Sequence, residues 1–301
     1  MPARNTHKPT SRKAARAAAP ETWPETRVLI TAALAEDVGT GDVTSDSLVV
    51  PRARATARMV ARSPLVVAGI GIATAVFRAV DRRIKVTRHL RDGRKAQKGQ
   101  VVLTATGPAA SLLTAERTAL NFVQRMSGVA TLARRFVDEI KPHRTRILDT
   151  RKTIPGWRRL DKYAVACGGG TNHRAGLYDQ VLIKDNHLAH WSAHAKGGTL
   201  AEAVREARRR HPGLVVEVEA DTPAQVRDLV AARPDWILLD NMTLAQLREC
   251  VALCRGGCRT EASGGVNLST VKAIAATGVD AISVGALTHS APAADLALDF
   301  V

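Results

Sequence analysis

The second half of the chain repeats a pattern of hydrophobic and polar positions. After residue 144, short apolar runs recur, and each is followed by a polar loop and then by a helical pattern. The runs cover residues 146–148, 181–183, 214–218, 236–239, 260–262 and 281–284. Strands that alternate with helices in this way are typical of parallel βαβ units. Because six such units are too few for an eightfold barrel, the pattern predicts a small or incomplete α/β barrel.

The first half has a different pattern, which predicts a separate domain. Apolar residues at helical spacing predict a helix over residues 25–37. Residues 53–106 are typical of a strand-rich segment with one helix. Residues 111–140 are helical in pattern, with an interruption predicted at Ser127-Gly128. The first domain is therefore expected to close near residue 128.

Polar or glycine residues stand at or just after the C-terminal end of every predicted barrel strand. They are Asp149, Lys184, Glu219, Asp240, Ser263 and Gly285. In an α/β barrel, this end of the strands forms the rim where catalytic groups collect. One polar residue at a strand end is expected by chance, whereas a complete series predicts a functional site at the rim.

The chain is strongly basic, which predicts anionic partners. Its 301 residues contain 44 Lys and Arg against 28 Asp and Glu, so the formal net charge is +16. The excess lies in residues 1–20, 82–98 and 141–162. Such a charge favours nucleic acid, a membrane surface or a small polyanionic substrate, and does not choose among them. The hydrophobic fraction of 45% is enough for a sizeable core and excludes wholesale disorder.

Two of these partner classes fit the remaining composition poorly. The uncharged run over residues 63–77 has 15 residues, whereas a membrane-spanning helix needs about 20. Proteins that bind single-stranded nucleic acid usually place aromatic residues among basic ones. Aromatic residues make up only 3% of this chain, and the basic segments contain just Trp157, with Tyr163 directly after the last segment. A nucleic-acid-binding protein is therefore the weaker alternative to a protein that binds a small anion.

The N-terminus and the cysteines predict a cytoplasmic protein. No apolar signal-peptide segment follows the start. Residues 1–22 are basic and alanine-rich and predict a disordered tail, with a transit peptide as the weaker alternative. Four cysteines are too few for a disulfide scaffold. Without a CxxC pair or a nearby histidine, Cys250, Cys254 and Cys258 are expected to pack in the core rather than bind a metal.

Several cations are expected on one side of the rim. Arg151 and Lys152 follow the first barrel strand, His173 and Arg174 follow a glycine-rich segment, and Lys184 ends the next strand. Arg binds planar carboxylates through two parallel hydrogen bonds, whereas Lys acts as a point charge. Because Lys184 leaves a buried apolar strand, an unpaired ammonium there would be costly, which favours a specific role.

Carboxylates are expected beside these cations. Glu217 and Glu219 differ by two positions and so share one strand face, and Asp240 ends the following strand. Such groups bind ribose hydroxyls, bind Mg²⁺ or stabilise a cationic transition state, and the residues alone leave all three open. Glu217 is the one expected to pair with a neighbouring Lys or Arg instead, and Glu219 and Asp240 less so.

Two glycine turns suggest a phosphate site. They are Ser263-Gly264-Gly265 and Val284-Gly285-Ala286, which follow successive predicted strands. Glycine lets backbone N–H groups approach an anion closely, and a following helix adds its positive end. Phosphate sites in barrels often use the loops after the last two strands. The rim as a whole predicts a site for several carboxylates and a phosphorylated sugar, without identifying a reaction.

The same residues carry a family resemblance. The segment LDTRKTIPGWRRLDKYAVACGGGTNHRAGLYDQVLIKDNH at residues 148–187 resembles the signature of quinolinate phosphoribosyltransferases. Further segments fit the family in order: EDVGTGDVTSD (36–46), ERTALNFVQRMSG (116–128), VEVEAD (216–221), LLDN (238–241), EASGG (261–265) and SVGALTHSAPAADLALDF (283–300). The resemblance covers about residues 25–301, and no matched position departs from it.

The resemblance implies an architecture. It comprises an N-terminal α/β sandwich domain at residues 23–128 and a C-terminal open α/β barrel at residues 129–290. A last helix over residues 291–301 would return to the first domain. The family forms homodimers at least, and in some cases hexamers. Its active site lies at the barrel rim and is completed by the N-terminal domain of the neighbouring subunit, where residues 82–98 are hypothesised to steer anions.

The resemblance also implies a reaction and a set of site residues. Quinolinate and phosphoribosyl pyrophosphate would give nicotinate mononucleotide, pyrophosphate and CO₂ with Mg²⁺, a step of NAD synthesis. The quinolinate carboxylates would be held by Arg151, His173, Arg174 and Lys184, and by Arg117 of the partner subunit. Phosphoribosyl pyrophosphate would be bound by Lys152, Glu219, Asp240, Ser263, Gly264, Gly265, Val284, Gly285 and Ala286.

Within that set, three residues are expected to be catalytic and two to hold the metal. Lys184, Glu219 and Asp240 are the catalytic candidates. Glu219 and Asp240 are also the candidate Mg²⁺ ligands, directly or through water. The alternative is a related phosphoribosyltransferase that acts on another carboxylated ring. Such an enzyme should differ at the quinolinate-binding positions, and no difference is present.

Overall fold

Two main β-sheets, one in each half of the chain, organise the protein. The computed structural model describes residues 19–194 and 198–301. One sheet is antiparallel with strand order β12-β1-β5-β3, and the other is six-stranded and parallel with order β6-β11-β10-β9-β8-β7. The predicted fold class, a sandwich domain followed by an open barrel, is confirmed.

The first domain contains four helices and five of the strands. The helices are α1 (Pro24–Val38), α2 (Val43–Leu48), α3 (Ile70–Val80) and α4 (Ala109–Glu139). The strands are β1 (Arg54–Ala61), β2 (Leu65–Val66), β3 (Lys85–Arg88), β4 (Lys95–Ala96) and β5 (Val101–Pro108). Helices α3 and α4 pack together because both are rich in buried apolar side chains, among them Ile72, Phe77, Leu112 and Met126.

Helix α4 runs without a break through the predicted interruption at Ser127-Gly128. The hydroxyl of Ser127 accepts a hydrogen bond from the N–H of Ala68 at 3.0 Å. A Cβ on Gly128 would lie 2.0 Å from the carbonyl oxygen of Pro292. The glycine therefore permits close approach of another segment rather than ending the helix. The predicted interruption is wrong, and α4 crosses the expected domain boundary.

The C-terminal segment returns to the first domain, but as a strand. Residues 291–301, predicted to be a helix, contain β12 (Leu296–Phe300). This strand pairs antiparallel with β1, with Leu298 opposite Met59. Leu296 and Leu298 are buried and alternate with less buried neighbours, which is the period-2 pattern of a half-buried strand. The helix prediction is therefore wrong.

The barrel domain alternates strands and helices. Its strands are β6 (Arg146–Leu148), β7 (Val181–Ile183), β8 (Val216–Ala220), β9 (Trp236–Asp240), β10 (Arg259–Ser263) and β11 (Ala281–Ser283). Its helices are α5 (Arg158–Cys167), α6 (Asp185–His194), α7 (Leu200–Arg210), α8 (Pro223–Ala232), α9 (Leu244–Cys254), α10 (Val271–Ala275) and α11 (Ala286–His289). Strands β6 and β7 lie at opposite edges of the sheet, so the barrel is open between them.

Local sequence explains where the barrel helices begin. Thr199, Thr222 and Thr243 precede α7, α8 and α9, and each accepts a hydrogen bond from the backbone N–H three residues on. The residue at that position is Glu or Gln, whose side chain bonds back to the threonine N–H. These reciprocal pairs satisfy N–H groups that the first helical turn leaves free.

Contacts between strands that are not neighbours identify the interior face of the barrel. The guanidinium of Arg146 on β6 lies 5.1 Å from the ring centre of Trp236 on β9, although two strands separate them. Trp236 is in register with Glu217 and Arg259. Residues in register on parallel strands share a face, and the face repeats every two residues. The interior face therefore also carries Glu219, Asp240, Glu261 and Ser263.

Several smaller predictions have outcomes in the structure. Residues 1–18 of the predicted tail lie outside the described residues, whereas Pro20–Thr22 form a 3₁₀ turn, so the tail prediction is wrong there. Cys250 and Cys254 are buried in the core, and Cys258 is half-buried. Within residues 19–194 and 198–301, no helix is both long and apolar enough to cross a membrane.

Candidate functional site

The rim begins with a contact between two predicted catalytic residues. Lys184 follows β7, Glu219 lies near the end of β8, and the ammonium donates a hydrogen bond to Glu219 Oε2 at 2.8 Å. The Lys184 side chain is 47% exposed and that of Glu219 is 10% exposed. The cost expected of an unpaired Lys184 is thus avoided by a carboxylate on the neighbouring strand. This contact also corrects a prediction, since Glu219 rather than Glu217 has the lysine partner.

The next two strand ends are joined through Asn241. Its side-chain amide donates to Asp240 Oδ2 at 2.6 Å, and its backbone N–H donates to the Ser263 carbonyl at 2.9 Å. Gly264 follows with φ +94°, and a Cβ there would lie 2.1 Å from Asn241 Oδ1. Both the backbone angle and this contact require glycine at position 264. Asp240 and the first glycine turn are therefore held as one unit.

The two predicted phosphate-binding turns follow adjacent strands, β10 and β11. Within the described part of the chain, the backbone N–H groups of Gly264, Gly265 and Gly285 donate no hydrogen bond. A Cβ on Gly285 would lie 3.1 Å from Lys152 Cδ, so the predicted pyrophosphate-side lysine reaches this turn. The helices contribute less than expected, because α10 begins only at Val271 and α11 has four residues.

Two of the predicted quinolinate-binding arginines, Arg151 and Arg174, lie within electrostatic reach of each other. Arg151 Nε is buried and has no hydrogen-bond partner among the described residues. Burial and the nearby Arg151 charge lower the pKa of Arg174, while Glu217 raises it. Two adjacent guanidinium groups and an unsatisfied donor are what a site for a carboxylate ligand would contain in the absence of that ligand.

The third predicted quinolinate-binding residue, His173, contacts two carboxylates of the barrel interior. Its Nε2 lies 3.0 Å from Glu217 Oε2 and 3.4 Å from Glu261 Oε2. The side chains of Glu217 and Glu261 are 1% and 2% exposed. We call His173, Glu217 and Glu261 the inner group, because each glutamate precedes a residue at the strand end by two positions. Lys184, Glu219, Asp240 and Ser263 form the rim group.

The inner group has shifted protonation equilibria. Burial lowers the pKa of His173, but hydrogen bonds and charge from Glu217 and Glu261 raise it to about 10. Burial raises the pKa of Glu217 to about 7, with the charge of Glu261 adding to this and His173 opposing it. Groups this close titrate as a unit, and at neutral pH the unit keeps a proton that separate groups would release. The expectation that Glu217 pairs with Lys or Arg is wrong, because its partners are His173 and Gln180.

The remaining predicted site residue, Arg117, lies apart from this chain's rim. It is exposed on α4, and no hydrogen bond or ion pair in the described ranges joins it to a rim residue. Of the basic residues at 82–98, Arg83, Arg88 and Lys95 form ion pairs with Asp81, Glu21 and Asp138.

The rim carboxylates fit a hard divalent cation. Glu219 and Asp240 lie on one face of adjacent strands, and each has one oxygen outside the contacts described above. Carboxylate oxygens are the ligands that Mg²⁺ prefers, and Mg²⁺ commonly takes one or two from the protein and the rest from substrate and water. The inner group also brings three possible ligand atoms together. However, His173 Nδ1 accepts the Arg174 N–H at 2.7 Å, which places the ring proton on Nε2 and leaves no lone pair there for a metal.

Some site residues were not predicted from the sequence. Glu261 and Asn241 both lie inside the quoted family segments, yet nothing in their local pattern distinguished them from structural residues. Glu261 occupies a strand interior, where a carboxylate is unusual, and this was the available signal. Asp149 was predicted at the rim, but it is fully buried and pairs with Lys162. Burial raises its pKa, and the Lys162 charge opposes the shift.

The rim of the open barrel combines arginines, a Lys–Glu pair, an aspartate and glycine-turn amides that donate no hydrogen bond within the described residues. These features define the class of the protein, which is an α/β-barrel protein with an anion-binding rim. Its site is suited to a ligand that carries both carboxylate and phosphate groups. The comparisons with known proteins give the family within that class.

The chain belongs to the quinolinate phosphoribosyltransferase family. Residues 42–127 match the quinolinate phosphoribosyl transferase N-terminal domain, and residues 129–299 match the C-terminal domain. The "probable nicotinate-nucleotide pyrophosphorylase [carboxylating]" of Bacillus subtilis is 42% identical, over 88% of this chain and 89% of that protein. The "nicotinate-nucleotide pyrophosphorylase [carboxylating]" of Mycobacterium leprae is 43% identical, over 91% of this chain and 96% of its own length.

A solved structure agrees with the sequence relatives. The nicotinate-nucleotide pyrophosphorylase of Francisella tularensis superposes with a TM-score of 0.87 at 38% identity, over 94% of this chain and 98% of that one. The resemblance inferred from the motifs is therefore confirmed at the level of the family.

Proposed function

We propose that this chain converts quinolinate and phosphoribosyl pyrophosphate to nicotinate mononucleotide, pyrophosphate and CO₂, a step of NAD synthesis. The observation that carries the proposal is the rim, where Lys184 contacts Glu219 at 2.8 Å beside the joined unit of Asp240 and Gly264. Membership in the family and relatives with this activity in their names support it.

The cationic side of the rim would bind quinolinate. Arg151 has a buried Nε without a partner in the described part of the chain, and Arg174 lies within its electrostatic reach. Lys184 would add a point charge from the end of β7. Two carboxylates on one ring match this arrangement of guanidinium and ammonium donors. Arg117 of the partner subunit would complete the set in a homodimer or a hexamer.

The opposite side would bind phosphoribosyl pyrophosphate. The N–H groups of Gly264, Gly265 and Gly285 would donate to the 5-phosphate, with Ser263, Val284 and Ala286 shaping the same two turns. Lys152, whose side chain reaches Gly285, would contact the diphosphate. Mg²⁺ held by Glu219 and Asp240 would neutralise charge on the leaving diphosphate.

The reaction needs negative charge near the sugar and positive charge near the ring. Departure of pyrophosphate leaves an oxocarbenium-like ribose, which Glu219 and Asp240 would stabilise. The ring nitrogen of quinolinate then bonds to the ribose and becomes a pyridinium. When CO₂ leaves the adjacent carbon, the positive ring accepts the electron pair, and a proton takes the place of CO₂. The protein mainly holds two mutually repelling anions in position.

The proposal includes a location. The sequence prediction of a cytoplasmic enzyme is retained, supported by the bacterial relatives. Fluorescent tagging and fractionation of the source cells would test it, and recovery in a membrane or organelle fraction would overturn it.

The direct test is formation of nicotinate mononucleotide. Purified protein with quinolinate, phosphoribosyl pyrophosphate and Mg²⁺ should release equal amounts of nucleotide, pyrophosphate and CO₂. Chelation of Mg²⁺ should stop the reaction, and re-addition should restore it. No nucleotide product under saturating substrates would overturn the proposal. A product from a different carboxylated ring, with none from quinolinate, would support the related-enzyme alternative instead.

A subunit-mixing experiment tests the shared site. Arg117→Ala and Lys184→Ala proteins should each be inactive alone. Mixed dimers contain one site with both residues intact, so activity should return in part. A mixture of Lys272→Ala and Lys184→Ala proteins is the control: Lys272 is an exposed lysine on α10, and its subunits should be active by themselves. No recovery in confirmed Arg117/Lys184 mixed dimers would overturn the shared site.

A further inference from the structure

The inner group connects two barrel strands to the loop that carries Arg174. Glu217 lies on β8 and Glu261 on β10, with β9 between them, so the two carboxylates converge across the barrel interior. His173 occupies the space between them, with Nε2 within 3.4 Å of an oxygen of each. The side chain of His173 is itself only 10% exposed. The histidine ring is therefore fixed from the barrel interior and not from the rim.

The hydrogen bonds around the ring determine which nitrogen carries the proton. The backbone N–H of Arg174 donates to Nδ1 at 2.7 Å, so Nδ1 is an acceptor and Nε2 carries the hydrogen. Nε2–H then donates to Glu217 Oε2 at 3.0 Å. With both nitrogens engaged inside the protein, neither is available to a ligand in this arrangement.

The backbone of His173 is held as tightly as its ring. Its N–H donates to Asp149 Oδ1 at 2.8 Å, and its carbonyl accepts from Lys162 Nζ at 2.9 Å. Asp149 and Lys162 are both buried and paired with each other. Every polar atom of His173 therefore has a protein partner, and the next residue in the chain is Arg174.

Two carboxylates at this position are not explained by packing. Glu217 Oε1 and Glu261 Oε1 are buried and have no hydrogen-bond partner among the described residues. Burying such groups costs free energy, and apolar side chains of the same size would generally pack there at lower cost. Negative charge at this depth does have an electrostatic effect on the rim, because Glu217 acts on Arg174 in the opposite direction to Arg151.

We propose that Glu217 and Glu261 are positioning residues for the quinolinate-binding cations. Through His173 they fix the Arg174 backbone, and the charge of Glu217 offsets the repulsion between Arg174 and Arg151 before the dianionic ligand arrives. His173 thereby acts on the ligand through Arg174 and not through its own ring. This inference rests on the proposed function for the identity of the ligand.

The kinetic test uses Glu261→Gln and Glu217→Gln, which keep the side-chain size and remove the charge. Each should raise the KM for quinolinate by about tenfold or more, because a misplaced guanidinium binds the carboxylates poorly. The KM for phosphoribosyl pyrophosphate should stay within about threefold of the wild-type value. Glu249→Gln is the matched control, since Glu249 is an exposed glutamate on α9 that pairs with Arg227, and both KM values should be unchanged.

The outcomes separate positioning from a purely structural role. A purely structural role would change both KM values in parallel or leave both unchanged, whatever the melting temperature, and either result would overturn the inference. If wild-type protein itself forms no product, the proposed function fails and the kinetic test does not apply.

A second measurement tests the inference even if the wild-type protein forms no product or the variants do not fold. In ¹⁵N-histidine spectra of the wild-type protein, assigned with His173→Gln, His173 should be the Nε2–H tautomer at neutral pH. A doubly protonated ring or the Nδ1–H tautomer would overturn the positioning network, whatever the enzyme's substrate is.

Discussion

Strands β8 and β10 each carry one member of the rim group and one member of the inner group two residues apart, yet the two groups differ in exposure. In the rim group, Lys184 has one carboxylate partner and keeps nearly half its surface exposed. In the inner group, the histidine is enclosed by two carboxylates that are almost fully buried. A side chain that must contact a ligand has to be accessible to it, whereas a side chain that positions a ligand-binding residue can be enclosed by the protein. The difference predicts that rim substitutions affect activity and that inner substitutions also affect stability.

The largest effect is expected from Lys184→Ala. Loss of the rim ammonium should lower kcat/KM by about 100- to 1000-fold, the range seen when one preorganised charge is removed from an active site. The free energy of unfolding should change by less than about 1 kcal/mol, because exposed ion pairs contribute little. Activity and urea unfolding should be measured beside Lys272→Ala. If Lys184→Ala kept activity within threefold of the wild-type value, the proposed catalytic role of Lys184 would be wrong.

Asp149→Asn should have the largest effect on stability. It removes the charge that balances Lys162, and breaking a buried ion pair by changing one partner costs about 3–5 kcal/mol. Urea unfolding would measure the loss. Asp138→Asn is the control, because Asp138 pairs with Lys141 and Lys95 at the surface. Equally small losses of unfolding free energy in both variants would show that the buried Asp149–Lys162 pair does not contribute to stability as inferred.

Stability should depend on pH through the inner group. The pKa seen at His173, raised to about 10 by Glu217 and Glu261, belongs to the three side chains of the inner group together, so between the unfolded-state histidine value near 6.5 and pH 10 the folded protein holds a proton that the unfolded chain has released. The free energy of unfolding should therefore fall as pH rises through this window, by up to about 1.4 kcal/mol per pH unit.

Glu217→Gln combined with Glu261→Gln should flatten that slope, since the proton then has no carboxylate to stabilise it. The other charges around the group, Asp149, Lys162, Arg151, Arg174 and Asp179, are common to both proteins. Equilibrium urea unfolding between pH 6.5 and 10 would measure both slopes, and identical slopes would show that the inner group does not titrate as described.

The smallest effect on stability is expected from Glu219→Gln. The side chain loses its charge pair with the exposed Lys184 and keeps a hydrogen-bonding oxygen, so unfolding should change by less than about 1 kcal/mol. Activity should fall strongly because this carboxylate faces the proposed ribose site. A large loss of stability would mean that Glu219 belongs with the inner group.

The sequence predicted the architecture of the barrel well and its interior poorly. Strand and helix alternation follows from local apolar periodicity, and all six barrel strands form where runs were identified. Glu219 rather than Glu217 has the lysine partner, because strand alternation predicts the face of a side chain but not its depth in the barrel. Contacts between segments distant in sequence explain two further differences. The local pattern predicted a helix break at Gly128, which instead lies against Pro292, and a helix over residues 291–301, which instead contain a strand that pairs with β1.

The strand β12 ties the order of synthesis to the order of folding. The antiparallel sheet of the first domain has its outer strand in the last residues of the chain, Leu296–Phe300. A ribosome therefore releases the complete barrel before it releases the strand that covers β1. Until then, the exposed edge of β1 is open to pairing with other chains. A nascent first domain is thus an unfinished template until the residues after the barrel have been synthesised.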